Sequence, residues 1–204
     1  MNNRKQSFFS GLFSDNTVLS AFMVMSPVIV CADTLKNAFA MIYAFSAVTF
    51  LSVLISSFVP KKIPYALKII IYTIISSIVY IPVKMTAKVF YPESITAIGI
   101  YYPLISVNSL IVLQTEVKFF RTKKSEMMLL LISYILGFDI VMLITAFIRE
   151  LLAYGTLNSR MMDIPLAISG AGQTFGGFIC LGLLCGLYRK IKSYAESEKN
   201  VSDK

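Results

Sequence analysis

"VMSPVIVCADTLKNAF", Val24 to Phe39, runs from apolar residues through Pro27 into Asp33, Lys36 and Asn37, then turns apolar again at once. What the interruption means depends on the solvent around it, and composition settles that. Of 204 residues, 56% are hydrophobic and 15% charged, and mean hydropathy is +0.73. One small water-soluble core has no room for so much apolar side chain, so the chain reads as an integral membrane protein. Apolar runs bounded by charge occur at Asn37 to Val59, Pro64 to Val83, Met127 to Ile148 and Ile164 to Tyr188. Each has about the 20 residues an α-helix needs to cross roughly 30 Å of hydrocarbon.

Two further runs, Thr17 to Ala32 and Ile95 to Leu113, are shorter and carry a proline followed by polar residues. The first has about 16 residues, or roughly 24 Å of helix, and barely reaches across. Setting Pro27 on Pro103 pairs "PVIVCAD" with "PLISVNS". That is a weak internal repeat, two three-helix halves each opening with an interrupted helix, with a site expected near the midplane. Broken backbone is tolerated at that depth only where protein or a cavity supplies its hydrogen bonds. The plainer alternative is a proline kink followed by a tight interhelical turn.

The expected fold is therefore an all-α integral membrane protein with six transmembrane helices. Residues 1–16 form an N-terminal lead, 17–190 the membrane domain with halves at about 17–94 and 95–190, and 191–204 a charged tail. The lead "MNNRKQSFFSGLFSDN" shows no cleavage site for a signal peptide and suits a short interfacial helix with Phe8, Phe9, Leu12 and Phe13 toward lipid.

With six spans, one face receives Arg4, Lys5, Lys61, Lys62, Lys68, Lys118, Arg121, Lys123, Lys124, Arg189, Lys190, Lys192, Lys199 and Lys204. The other face receives Lys36, Lys84, Lys88, Arg149 and Arg160. The bias puts both termini in the cytoplasm. It also accounts for the net charge of +8 through loops facing anionic headgroups, with no nucleic acid as partner.

Side chains able to do chemistry are few. There is no histidine, which excludes a Ser-His-Asp triad, a His-ligated haem and a His-bearing zinc site. Cys31, Cys180 and Cys185 read as small buried hydrophobes, and the last two lie roughly 140° apart around one helix. Asp139, in "ILGFDIVML", falls mid-span, where a carboxylate is costly unless paired, protonated or facing water. It is either an ion or proton station or a neutral group bonded to a neighbouring serine or threonine. Arg149 and Glu150 read as an interfacial cap before a turn at Gly155, and Gly170, Gly172, Gly176 and Gly177 as close-packing positions.

Read together, "SPVIVCADTLKN" (Pro27, Asn37), "PLISVNSLIVLQTE" (Pro103, Leu104, Ile105, Asn108, Glu116) and "RELLAYGTL" (Arg149 to Leu157) resemble membrane components of two related systems. These are the Rnf electron-transport complex and the Na+-translocating NADH:quinone reductase, with the likeness running from about Thr17 to Lys190. The chain looks more like the RnfE and NqrD type than like the paralogous RnfA and NqrE type. The resemblance implies two inverted three-helix repeats, each opening with an interrupted helix, in a bacterial cytoplasmic membrane with both termini inside. It also implies a paralogous partner in opposite orientation and flavin-bearing redox subunits nearby.

The resemblance further implies an iron-sulfur cluster held between the paralogues by the cysteine of each motif. Here Ser26 precedes Pro27 and Ser109 follows Asn108. Serine is a poor substitute for a thiolate, and Cys31, five residues beyond Ser26, is displaced along and around any helix. No cofactor is therefore expected in this chain, and flavin is expected on its partners.

The leading expectation is a structural and coupling component, non-catalytic alone, of a redox-driven translocase. It would pair with a paralogue or a second copy of itself. Ser26, Asn37, Asn108 and Ser109 would line a polar midplane site or satisfy interrupted backbone, and Asp139 is the ion-pathway candidate. The alternative is a small six-helix substrate-binding component of a vitamin or ion transporter, for which "AMIYA" offers a small-residue docking face. A stand-alone enzyme fits least, since no paired carboxylates or activated nucleophile assemble.

Overall fold

The computed structural model describes residues 16, 18–20, 22–60, 62–117, 119–121, 124–157, 160–161 and 168–202. Among these, four helices are long and apolar enough to cross a membrane. We label the principal helices α1 (Met25–Cys31), α2 (Leu35–Ser56), α3 (Tyr65–Phe90), α4 (Pro92–Ile98), α5 (Lys124–Tyr154) and α6 (Thr174–Ser202). The four crossing helices are α2, α3, α5 and α6. A fifth crossing arises if the bent pair Pro92–Tyr101 and Pro103–Val112, which meet at 51°, is one span. The protein is an all-α multi-pass membrane protein; among the described residues a short antiparallel pairing sets Thr156 against Met161 and Leu157 against Arg160.

The helix boundaries follow from local chemistry. Pro82 lies inside α3, and the helix continues to Phe90 where the apolar run alone suggested an end at Val83. A proline removes one backbone donor, and the Thr86 hydroxyl bonds the Val83 carbonyl at 2.9 Å just beyond it. α5 stops at Gly155, whose φ of 60° suits a residue without a Cβ. α6 begins at Thr174, after the 3-10 turn Ser169–Gly172, and runs through the expected tail to Ser202. Ala195, Glu196, Glu198 and Lys199 are good helix formers, which explains the extension.

The first predicted span, Thr17 to Ala32, is represented only by α1, seven residues long. Phe22 and Val24 have φ of 53° and 55°, a left-handed conformation that no helix continues through and that a β-branched residue adopts only under constraint. Asn16 anchors this segment by donating to the Gly137 carbonyl at 3.0 Å and accepting from the Val18 and Leu19 amides. Six full spans are thus not reached within the described residues. The expected interfacial helix of the lead, with Phe8, Phe9, Leu12 and Phe13, lies outside them.

The hydrophobic core lies between α2, α3 and α5, where Ala38, Met41, Ala44, Phe45, Phe138 and Ala146 are wholly buried and the Phe45 and Phe138 rings stack at 3.8 Å. Small residues let these helices approach closely, which matters where lipid offers no hydrophobic drive for association. The opposite faces are apolar and exposed, with Ile70, Ile74, Ile78 and Ile81 on α3 and Phe175, Ile179, Leu183 and Leu187 on α6. These are lipid-facing surfaces or seats for partner helices.

Candidate functional site

Two interruptions organise the interior. The first separates α1 from α2. Pro27 sits in the first turn of α1, where its missing N–H costs no intrahelical bond. The chain turns at Ala32 to Thr34, and the start of α2 is capped three ways. Thr34 Oγ1 accepts from the Asn37 amide at 3.4 Å, Asp33 Oδ1 accepts from the Thr34 amide and Asn37 Nδ2, both at 2.9 Å, and Glu150 Oε2 accepts from the Leu35 amide at 2.7 Å.

The other side of this break belongs to Arg149, which is 1% exposed. Its Nη1 donates to the Ile29 and Ala32 carbonyls at 2.7 and 3.0 Å, at the carboxyl end of α1. Its Nε donates to the Ala171 carbonyl at 3.0 Å. Its Nη2 donates to the Gly172 and Gln173 carbonyls at 3.1 and 3.0 Å, in the turn that precedes α6. All five N–H donors of the guanidinium are satisfied by main chain. A cation at a helix carboxyl end is also favoured by the helix dipole. The adjacent pair Arg149–Glu150 therefore clamps both ends of the break, reaching across about 120 residues of sequence. Gly177 permits this closeness, since a Cβ there would meet the Ile29 carbonyl and stand 3.1 Å from Arg149 Nη1.

The second interruption lies at Asn108, whose extended backbone (φ −77°, ψ 150°) separates the 3-10 turn Pro103–Val107 from a π-helical turn at Leu110–Gln114. Asn108 is buried. Its Nδ2 donates to the Ile105 carbonyl at 2.9 Å and to Thr49 Oγ1 at 3.2 Å, and its Oδ1 accepts from the Ile111 amide at 3.0 Å. One amide side chain thus joins the two flanks of the break to α2. Pro103 opens the 3-10 turn and is exposed. Beyond the π-helical turn, Glu116 is bonded by the Tyr72 hydroxyl and by Lys68 Nζ at 3.2 Å.

The predicted motif residues fall into three groups, with Asp139 apart from them. Asn37 and Asn108 satisfy interrupted backbone or the residues that cap it, Pro27 and Pro103 begin the flanking turns, and the motif serines stand apart. Ser26 is exposed on α1, and Ser109 is half-buried beside Asn108. Neither side chain makes a hydrogen bond among the described residues. Asp139 belongs to neither break. It lies near the middle of α5, half-buried, and Ser46 Oγ on α2 donates to its two carboxyl oxygens at 3.2 and 3.0 Å. That is the neighbouring serine the sequence allowed for. Cys31, Cys180 and Cys185 are free thiols.

Sequence reasoning missed Arg149 as the clamp, placing it at the interface. The available signal was an Arg-Glu pair directly following an apolar run.

Comparison with known proteins places these features in context. The family model described as "Rnf-Nqr subunit, membrane protein" matches residues 4–185. The E-type component of the ion-translocating oxidoreductase complex of Shewanella piezotolerans is 26% identical over 98% of this chain and 93% of its own length. The A-type component of the corresponding complex of Buchnera aphidicola is 29% identical over 82% of this chain and 88% of its own. The A-type component of the Na(+)-translocating ferredoxin:NAD(+) oxidoreductase complex of Acetobacterium woodii is 29% identical over 80% and 88%. Relatives of both the A type and the E type are thus similar to this chain.

Proposed function

Because the chain belongs to the Rnf-Nqr family of membrane subunits, we propose that it is a structural and coupling component of an ion-translocating redox complex in a bacterial cytoplasmic membrane. Its relatives are subunits of ion-translocating oxidoreductase complexes, which favours this reading over a vitamin importer. In it the chain pairs with a paralogue or with a second copy, lies against flavin-bearing subunits and keeps both termini in the cytoplasm.

The observation that carries the proposal is how the interruptions are closed. Asn108 and the Arg149–Glu150 pair fasten the breaks from within, while Ser26 is left exposed on the short helix. The motif serine is therefore open to whatever stands against α1.

The donors at the motif positions do not fit an iron-sulfur cluster. Ser26 and Ser109 offer hydroxyls, whereas such clusters are held by thiolates. Cys31, the nearest thiol in sequence, is buried on α1. The electron route of the complex then avoids ligation by this chain, and Asp139 with Ser46 remains the candidate for ion contact at mid-span.

The test is purification from native membranes in mild detergent, with protein identification, flavin fluorescence, iron and acid-labile sulfide assays, and electron paramagnetic resonance of the reduced sample. A paralogue and flavoproteins are expected, with an iron content insensitive to Ser26→Ala and Ser109→Ala. A tightly bound vitamin without redox partners would overturn the assignment. A cluster lost on mutating either serine would overturn the electron route.

A further inference from the structure

The polar groups inside the bundle form a row. On α2, Ser52 and Ser56 follow Thr49 at helical spacing, and on α3, Lys68, Tyr72, Ser76 and Tyr80 recur every fourth residue, so each set shares one buried face. Tyr102 and Thr115 come from the broken segment that packs against both helices. The hydroxyls of Ser52, Ser56, Ser76, Tyr80, Tyr102 and Thr115 are all buried, and none has a hydrogen-bond partner among the described residues.

Helix α3 itself shows that this is a matter of direction. Thr73, Ser77 and Thr86, on its outer and flanking faces, bond carbonyls of their own helix at 2.8 to 2.9 Å. Ser76, facing inward, does not. An isolated unpaired hydroxyl is a costly exception in a protein interior, and buried water is what usually bonds such groups where several gather between packed helices.

The row ends beside an ion pair on one side and beside two tyrosines on the other. At one end the Lys68–Glu116 pair keeps side-chain exposures of 10% and 17%. Twelve residues further along α3, about 18 Å, the Tyr80 and Tyr102 rings meet with centroids 6.0 Å apart. Tyr80 is the sixteenth of the 26 residues of α3, so the row passes the middle of that helix.

We propose that this row holds a file of water molecules, entered beside Lys68–Glu116, passing the break at Asn108 and ending at the Tyr80–Tyr102 pair. Its ligand is water, hydrogen-bonded by side-chain hydroxyls, and it makes an aqueous half-path into the bundle. The file is a property of this chain's own packing and stands independently of which complex the chain serves.

Radiolytic hydroxyl-radical labelling tests it on the full chain, purified with its membrane partners and read by peptide mass spectrometry. Radicals made from a bound water oxidise the side chains beside it, so a buried residue is labelled only where water is held. Tyr102 is expected to be labelled several-fold faster than Phe45 and Phe138, which are equally buried but stack on each other in the core. Ser76→Leu, which fills the row with an apolar side chain, is expected to drop Tyr102 to the rate of Phe45 and leave Phe138 unchanged. Thr115→Val, of nearly the same shape, lowers the Tyr102 rate by a smaller factor and serves if the leucine variant does not fold. Labelling of Tyr102 in the unaltered chain no faster than Phe45 shows the row dry and overturns the proposal.

Discussion

Replacing Arg149 by methionine tests the clamp at the first break. The substitution keeps length and apolar packing but removes five N–H donors, leaving the carbonyls of Ile29, Ala32, Ala171, Gly172 and Gln173 without this partner. Interhelical side-chain hydrogen bonds in membrane proteins average about 0.6 kcal/mol net, so five contribute about 3 kcal/mol as a central figure. Bonds to a charged donor and stranded buried carbonyls raise that figure, and relief of burying the guanidinium lowers it. A loss of about 3 kcal/mol corresponds to roughly a hundredfold rise in local opening.

Cys31 reports that opening, because it sits on α1 between two of the clamped carbonyls and is 2% exposed. Labelling by a maleimide under native conditions, resolved by peptide, should accelerate at Cys31 by about that factor. Cys185, further along α6, serves as the internal control. Arg149→Lys, with at most three donors, loses at least two bonds and should accelerate labelling by about tenfold, short of the methionine variant. Equal Cys31 rates in the unaltered chain and in Arg149→Met would refute the clamp and reduce Arg149 to a passive polar group.

Three further outcomes are expected. Gly177→Ala should destabilise the chain in detergent unfolding, because its Cβ meets the Ile29 carbonyl, whereas Gly182→Ala, with nothing within 4 Å, should be neutral or stabilising by up to about 1 kcal/mol. Lys68→Met should cost about 3 kcal/mol by stranding Glu116 beside Tyr72, and the double change Lys68→Met with Glu116→Gln should recover much of it; simple additivity in unfolding assays would count against a coupled pair. Asp139→Asn should leave stability within about 0.5 kcal/mol, since an amide oxygen still accepts from Ser46, while lowering ion uptake by the reconstituted complex; unchanged uptake would remove Asp139 from the ion path.

The long spans were legible because an apolar run of about 20 residues has few other uses, and the breaks were legible because Pro27 with Asp33 and Pro103 with Asn108 put polar groups where lipid forbids open backbone. The brevity of α1 was not legible, since it follows from left-handed backbone at Phe22 and Val24, residues whose types predict the opposite. The role of Arg149 was hidden because its partners are carbonyls, which every residue has, contributed by segments far away in sequence. The row of interior hydroxyls was hidden for a related reason. Serine and threonine are ordinary in membrane helices, and only packing separates Ser76, facing inward, from Ser77, facing out. Asp139 was visible as an anomaly, but its bond to Ser46 required the register of α2 against α5.

The span between Ile29 and the arginine that holds it bears on how the chain is made. At about 5 to 20 residues per second, roughly 6 to 24 s of synthesis separate the emergence of α1 from that of Arg149, which lies 120 positions later. Throughout that interval the carboxyl end of α1 has no guanidinium to meet its carbonyls and the start of α2 lacks the Glu150 carboxylate. Bare hydrocarbon is a poor place for either end to wait. The first interrupted element must therefore remain at the wet margin of the insertion machinery, or in its care, until α5 arrives. The amino-terminal half of this protein is completed last, by a residue from the other half.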